Sequence, residues 1–154
     1  MNWQCHEQGL GELDVGVFTV PMRVRNWQNG FLPREEQGED VECNAVVDSG
    51  AIQTSLPMEL IAALKLTEVG RVHARTADGT LHEYRLMGIA EVEVQGRSWQ
   101  GRVIELPGGT RPLLGAVTLE EMDWHISPAE QKLLPTPGSP DMPEILLLGL
   151  RFST

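Results

Sequence analysis

The stretch Val46-Val47-Asp48-Ser49-Gly50-Ala51 decides how the rest of the chain is read. Two β-branched apolar residues run into an aspartate, a hydroxyl residue and a glycine. The pattern predicts a buried strand that hands a carboxylate to a tight turn. Gly50 gives that turn backbone freedom and lets another group come close. A carboxylate carried out of an apolar strand is costly unless it is paired, hydrogen-bonded or protonated. Asp-Ser-Gly also occurs in ordinary turns, so its weight comes from its surroundings.

Val41 to Val47 forms the strand that leads into Asp48. Before it, residues 13–24 alternate, with Phe18, Val20, Met22 and Val24 to one side and Val17, Thr19 and Arg23 to the other. This predicts an earlier strand, joined to the next by a charged turn from Arg34 to Asp40. After the turn, Ile52 to Leu56 reads as a short extended piece. Pro57 suits the first position of a helix with Leu60, Ile61 and Leu64 on one face.

Arg71 to Ala77 and Thr80 to Leu86 are extended segments joined by Asp78-Gly79, a strong hairpin signal. Ile89 to Val94 and Arg102 to Leu106 read as a further strand pair, turned near Gln95-Gly96. A loop at Pro107-Gly108-Gly109 precedes the short apolar run Arg111 to Leu114, then Gly115 and a helix from Ala116 to Met122. Trp124 to Ile126 and Gln131 to Leu134 flank a turn at Ser127-Pro128. Short strands with two brief helices predict an all-β fold, a small closed or folded barrel in a single lobe. Composition shifts at Pro135, with Pro137, Pro140 and Pro143 following. We therefore expect one domain over 1–135, with 1–12 as an N-terminal arm, and a Pro-rich linker with an apolar end over 136–154.

The chain has 154 residues and a net charge of −10. So acidic a chain is a poor partner for nucleic acid or anionic membranes, and neither is expected. Cys5 and Cys43 have no near partner, which fits a reducing compartment. No secretory leader is visible in the first residues, and no apolar run approaches the roughly 20 residues of a membrane span. A cytoplasmic location is expected. His6, His73, His82 and His125 lack ligand spacing, so neither a metal nor another cofactor is expected. His73 and His82 flank Asp78-Gly79 and read as a cross-strand surface pair. Trp3, Trp27, Trp99 and Trp124 read as core or interface, and Glu35-Glu36 and Glu120-Glu121 as solvated faces.

Taken in order, Asp48-Ser49-Gly50-Ala51, Ala77-Asp78-Gly79 and Leu113-Leu114-Gly115-Ala116 with Leu119-Glu120 resemble the retropepsin-like aspartic proteases. The resemblance spans roughly residues 15–135 and looks closest to the small bacterial and cyanobacterial members. It implies that Asp48 is the catalytic carboxylate. It implies that Gly50 allows close approach of loop and substrate, that Ser49 bonds across a dimer axis, and that Ala51 and Thr54 support the loop. Ala77, Asp78, Gly79 and Thr80 would form a flap tip over the cleft. Leu113, Leu114 and Gly115 would brace the loop from below. Retroviral members carry an ion pair at positions that here are Ile52 and Ala116; both charges are absent together, which leaves no orphan.

Such chemistry needs two carboxylates, one to activate water and one, protonated, to polarise the scissile carbonyl. The sequence has no second Asp-Ser/Thr-Gly. One chain therefore supplies half a site, and a twofold homodimer would complete it. The expected function is hydrolysis of a polypeptide substrate by water held between two Asp48 carboxylates. The alternative is a non-catalytic dimer of the same fold that binds a peptide or partner protein.

Overall fold

The computed structural model describes residues 17–48, 50–144, 147 and 149. Ser49, the arm over 1–12 and nearly all of the apolar end fall outside these residues.

Strand β1 (Phe18–Asn26) buries Phe18, Val20, Met22 and Val24 on one face, as the alternation predicts. It runs antiparallel to β2 (Val41–Val47), from Phe18 opposite Val47 to Val24 opposite Val41. A short β3 (Ser55–Pro57) leads into helix α1 (Met58–Leu64). Pro57 stands one position earlier than predicted: its extended backbone ends β3 and caps the helix. Leu60, Ile61 and Leu64 are buried together, as their spacing requires.

Strands β4 (Thr67–Arg75) and β5 (Leu81–Val94) form the long hairpin around Asp78-Gly79, and β6 (Arg97–Leu106) returns along β5. Two predicted pieces, Thr80 to Leu86 and Ile89 to Val94, prove to be one strand. Register against β6 shifts between Met87 and Ala90, so a bulge at Gly88 carries the strand through the break in pattern. β6 begins at Arg97 rather than Arg102. Its first half was hidden by Gly101, over which the Trp99 ring lies so closely that a Cβ would come within 2.2 Å of it.

The two-residue β7 (Leu113–Leu114) precedes α2 (Ala116–Glu121), and a hairpin of β8 (Trp124–Ser127) and β9 (Lys132–Pro135) follows. The sheet order is β1-β2-β7-β3-β6-β5-β4, and β1 also pairs with β5, from Arg23 opposite Glu93 to Asn26 opposite Ala90. Six strands thus close into a barrel, with β4 added outside on β5. Closure leaves no free edge within the ring. Val24, Val47, Leu56, Leu60, Val92, Val103 and Leu114 are fully buried inside it. Each such side chain contributes about 1.5–3 kcal/mol on removal from water. Among the described residues the fold is the expected all-β barrel with two short α-helices.

Candidate active site

Asp48 leaves β2 directly after Val47, which is fully buried. Its Oδ1 accepts the Gly50 amide at 2.9 Å, and its carbonyl accepts the Ala51 amide at 3.0 Å. The carboxylate is thereby fixed to its own turn through one oxygen. Among the described residues Oδ2 has no bonded partner. A Cβ on residue 50 would sit 3.3 Å from Oδ1, so glycine permits the contact without crowding. Ser49 lies outside the described residues, and its assigned role is not visible.

Both ends of the loop are fastened to one dipeptide. β7 pairs in parallel with β2, Val46 opposite Leu113 and Val47 opposite Leu114, and antiparallel with β3, Ser55 opposite Leu113. The Val46 amide also donates to the Pro112 carbonyl at 2.8 Å. The strand entering the turn and the strand leaving it therefore share a neighbour, and Leu113-Leu114 fixes their separation.

Three consecutive amides continue the brace. Gly115 N–H donates to Thr54 Oγ1 at 2.9 Å, Ala116 N–H to the Ala51 carbonyl at 2.8 Å and Val117 N–H to the Ile52 carbonyl at 3.1 Å. The first amides of α2 have no partner within the helix, and the candidate loop satisfies them. Thr54 is fully buried, and its hydroxyl also pairs with the Thr118 hydroxyl at 2.7 Å. A Cβ on residue 115 would lie 2.4 Å from the Gln53 carbonyl carbon, so this approach requires glycine. At Ile52 and Ala116 the loop and helix are thus joined through backbone, with no charge involved. Thr118 belongs to none of the motifs that point to the site. Its signal was a hydroxyl set between Val117 and Leu119 at the start of a helix, which once buried must find a partner.

Ala77, Asp78, Gly79 and Thr80 form the exposed tip of the β4–β5 hairpin. The Gly79 amide donates to the Thr76 carbonyl at 2.9 Å, and Gly79 has a φ of +84°, the left-handed conformation that favours glycine. Asp78 Oδ1 accepts the Thr76 hydroxyl and the Thr80 amide, and these bonds hold its carboxyl down at about 2. The register places Glu83 opposite His73 and Ala74 opposite His82. The predicted His73–His82 pair is therefore not formed; a one-residue offset sends the imidazoles to opposite faces. The outward face carries Arg71 bonded to Glu68 and Glu83, and Arg85 bonded through two nitrogens to Glu105.

Three other carboxylates, of Asp123, Glu59 and Glu121, are engaged elsewhere. Asp123, at the end of α2, accepts the Ser139 hydroxyl and the Glu144 amide, and the Ser139 bond first of all holds its carboxyl below the usual range. Glu59 on α1 accepts the Gly109 amide at 2.9 Å and so fastens the 107–110 loop. Glu121, read as solvated, accepts the Trp99 indole N–H. Among the described residues no cluster of three or more His, Cys, Asp or Glu side chains could hold a metal. Among the same residues no helix is long and apolar enough to cross a membrane.

Comparison with protein-family models matches residues 37–121 to the gag-polyprotein putative aspartyl protease. The matched span begins before β2 and ends with α2, so it contains the Asp48 turn, the hairpin tip and the brace. A search of curated proteins found no match to the chain.

Proposed function

Because the chain belongs to the gag-polyprotein putative aspartyl protease family, we propose that it is an endopeptidase whose catalytic group is Asp48, completed by Asp48 of a second copy. The observation that carries this reading is the construction of the Asp48 turn. One carboxylate oxygen is fixed by Gly50, the other has no bonded partner among the described residues, and the loop is braced on both sides. A strand-end carboxylate with a preset orientation and an oxygen that has no bonded partner among the described residues suits a group that must hold water.

In the proposed reaction the ionised Asp48 takes a proton from water as the water oxygen attacks the peptide carbonyl. The protonated Asp48 of the second copy donates a hydrogen bond to the carbonyl oxygen. The tetrahedral intermediate then collapses as the first Asp48 passes the proton it took from water to the amide nitrogen, the C–N bond breaks, and both carboxyl groups return to their starting states. A twofold axis beside the loop would supply both roles from one sequence. The hairpin tip over 77–80 would close over the bound polypeptide and exclude water.

The reading is tested by incubating the protein with a diverse peptide library, wild type beside Asp48→Asn, with products identified by mass spectrometry. Asn keeps the shape of the side chain and the bond from Gly50, but cannot take the proton. Wild type should cut internal peptide bonds, and the variant should lose cleavage by at least about 10³-fold with its melting temperature retained. Equal cleavage by both proteins would remove Asp48 from the mechanism. Absence of cleavage by wild type at every pH would favour the non-catalytic dimer.

A further inference from the structure

β1 begins beside the Asp48 turn, with Phe18 opposite Val47, and ends at Asn26 at the other pole of the barrel. There the chain makes a 3-10 turn over Trp27–Gly30, and two aromatic rings face water: Trp27 is 39% exposed and Phe31 73%. Their ring centroids are 5.0 Å apart and the planes meet at 63°. Trp27, read from the sequence as core or interface, is therefore not core.

The pair sits on a loop that is held firmly. The buried Asn26 side chain accepts the Gln28 amide and donates to the Leu64 and Lys65 carbonyls at the end of α1. Asn29 exchanges two hydrogen bonds with the backbone of Gly38, and Gln37 donates to the Leu32 carbonyl. A Cβ at Gly38 would fall 2.1 Å from the Leu64 carbonyl oxygen, so the loop is pressed onto the helix end. Large aromatic surfaces displayed on a preformed loop are the usual anchors of recognition, because little ordering remains to be done on binding.

Charge narrows the occupant. On the same loop Glu35, Glu36 and Glu39 are exposed, and among the described residues none is paired with a cation. Asp40 is already matched by Arg23 at 3.1 Å, while Arg34 and Lys65 offset part of the remaining charge. We infer that Trp27 and Phe31, with Glu35, Glu36 and Glu39, form a docking site for an arginine-bearing segment of a polypeptide, at the pole remote from Asp48. A guanidinium stacks flat on an aromatic face and meets carboxylates with paired N–H groups, so one residue type uses both features of the loop. An aliphatic segment would use only the rings. A lysine-bearing segment would use mainly the charge. In an endopeptidase such a site would tether a polypeptide away from the bond that is cut; the inference does not depend on that activity.

The probe is a fluorescent peptide of alternating Arg and Gly, with a twin in which each Arg is Lys, read by anisotropy against the full-length protein. The Arg peptide should bind wild type more tightly than the twin. Phe31→Ala should weaken it by about fivefold to tenfold, with melting temperature unchanged because the ring is largely in water. The triple variant Glu35→Gln, Glu36→Gln, Glu39→Gln should weaken it similarly and flatten its salt dependence. Equal binding by wild type and Phe31→Ala would reduce the effect to net charge and overturn the proposal, as would absence of binding. Loss of self-association in Phe31→Ala, without any change toward the peptide, would assign the rings to a second copy and overturn it equally.

Discussion

Thr54 shows how one hydroxyl can set the position of a neighbouring turn. It is fully buried, accepts the Gly115 amide and pairs with Thr118. Thr54→Val keeps the volume but strands the Gly115 N–H and the Thr118 hydroxyl. Leaving such groups unsatisfied costs about 1–3 kcal/mol, and urea unfolding should report a loss of that size. Thr54→Ser retains the hydroxyl and should recover most of it. A Val variant as stable as wild type would show that the brace does not depend on this bond. Thr54 could be read from the sequence because its place after Asp48 matched a motif. For Thr118 the sequence signals only a hydroxyl in need of a partner; that the partner is Thr54 is visible only in the fold.

At the scale of elements, the hairpin tip carries its own stabilising charge. Asp78 is held down at about 2 by the Thr76 hydroxyl and the Thr80 amide. Because the folded value is depressed, the stabilisation is fully present above the ordinary carboxylate range and is lost as pH falls through about 2. An NMR titration should therefore show the Asp78 carboxyl and the Thr80 amide moving together with a midpoint near 2. A midpoint in the ordinary aspartate range would mean that the turn bonds do not form in solution. This hairpin was legible because Asp-Gly between alternating segments demands a turn. The closure of β5 onto β1 was not, because it joins Val24 to Val92 and Arg23 to Glu93, far apart in sequence and without local signal. The continuity of β5 was masked for a related reason. Gly88 breaks the alternation, and only pairing with β6 shows that a bulge absorbs it.

Across the whole molecule, Arg97 ties the start of β6 to the stretch after β9. It is buried, donates to the Met122, Asp123 and Ser139 carbonyls, and lies 4.3 Å from the Trp124 ring centre. Asp123 completes the knot by accepting the Ser139 hydroxyl and the Glu144 amide. Arg97→Ala should cost about 2–4 kcal/mol through the unpaired carbonyls. It should also speed amide exchange over 136–144 while leaving the hairpin tip unchanged. Equal exchange in both proteins would mean that Arg97 does not hold the segment. The proposed division of the chain at 135–136 bears on this stretch, which is bonded to Asp123 through Thr136, Ser139 and Glu144 and to Arg97 through Ser139. Little in the sequence announced the knot. Its members are far apart in the chain, and the prolines around Ser139 resemble those of an unattached linker.

In the proposed dimer one active site is shared by two copies, each giving Asp48. Wild-type protein mixed with Asp48→Asn, and left to exchange subunits, reports whether the two copies act as one site. If a mixed dimer is dead, only dimers of two wild-type subunits act. At equal amounts of the two proteins and constant total concentration, cleavage should then fall to about a quarter of the all-wild-type rate. A fall to one half, in proportion to wild-type content, would mean that each chain works alone and that no site is shared between copies.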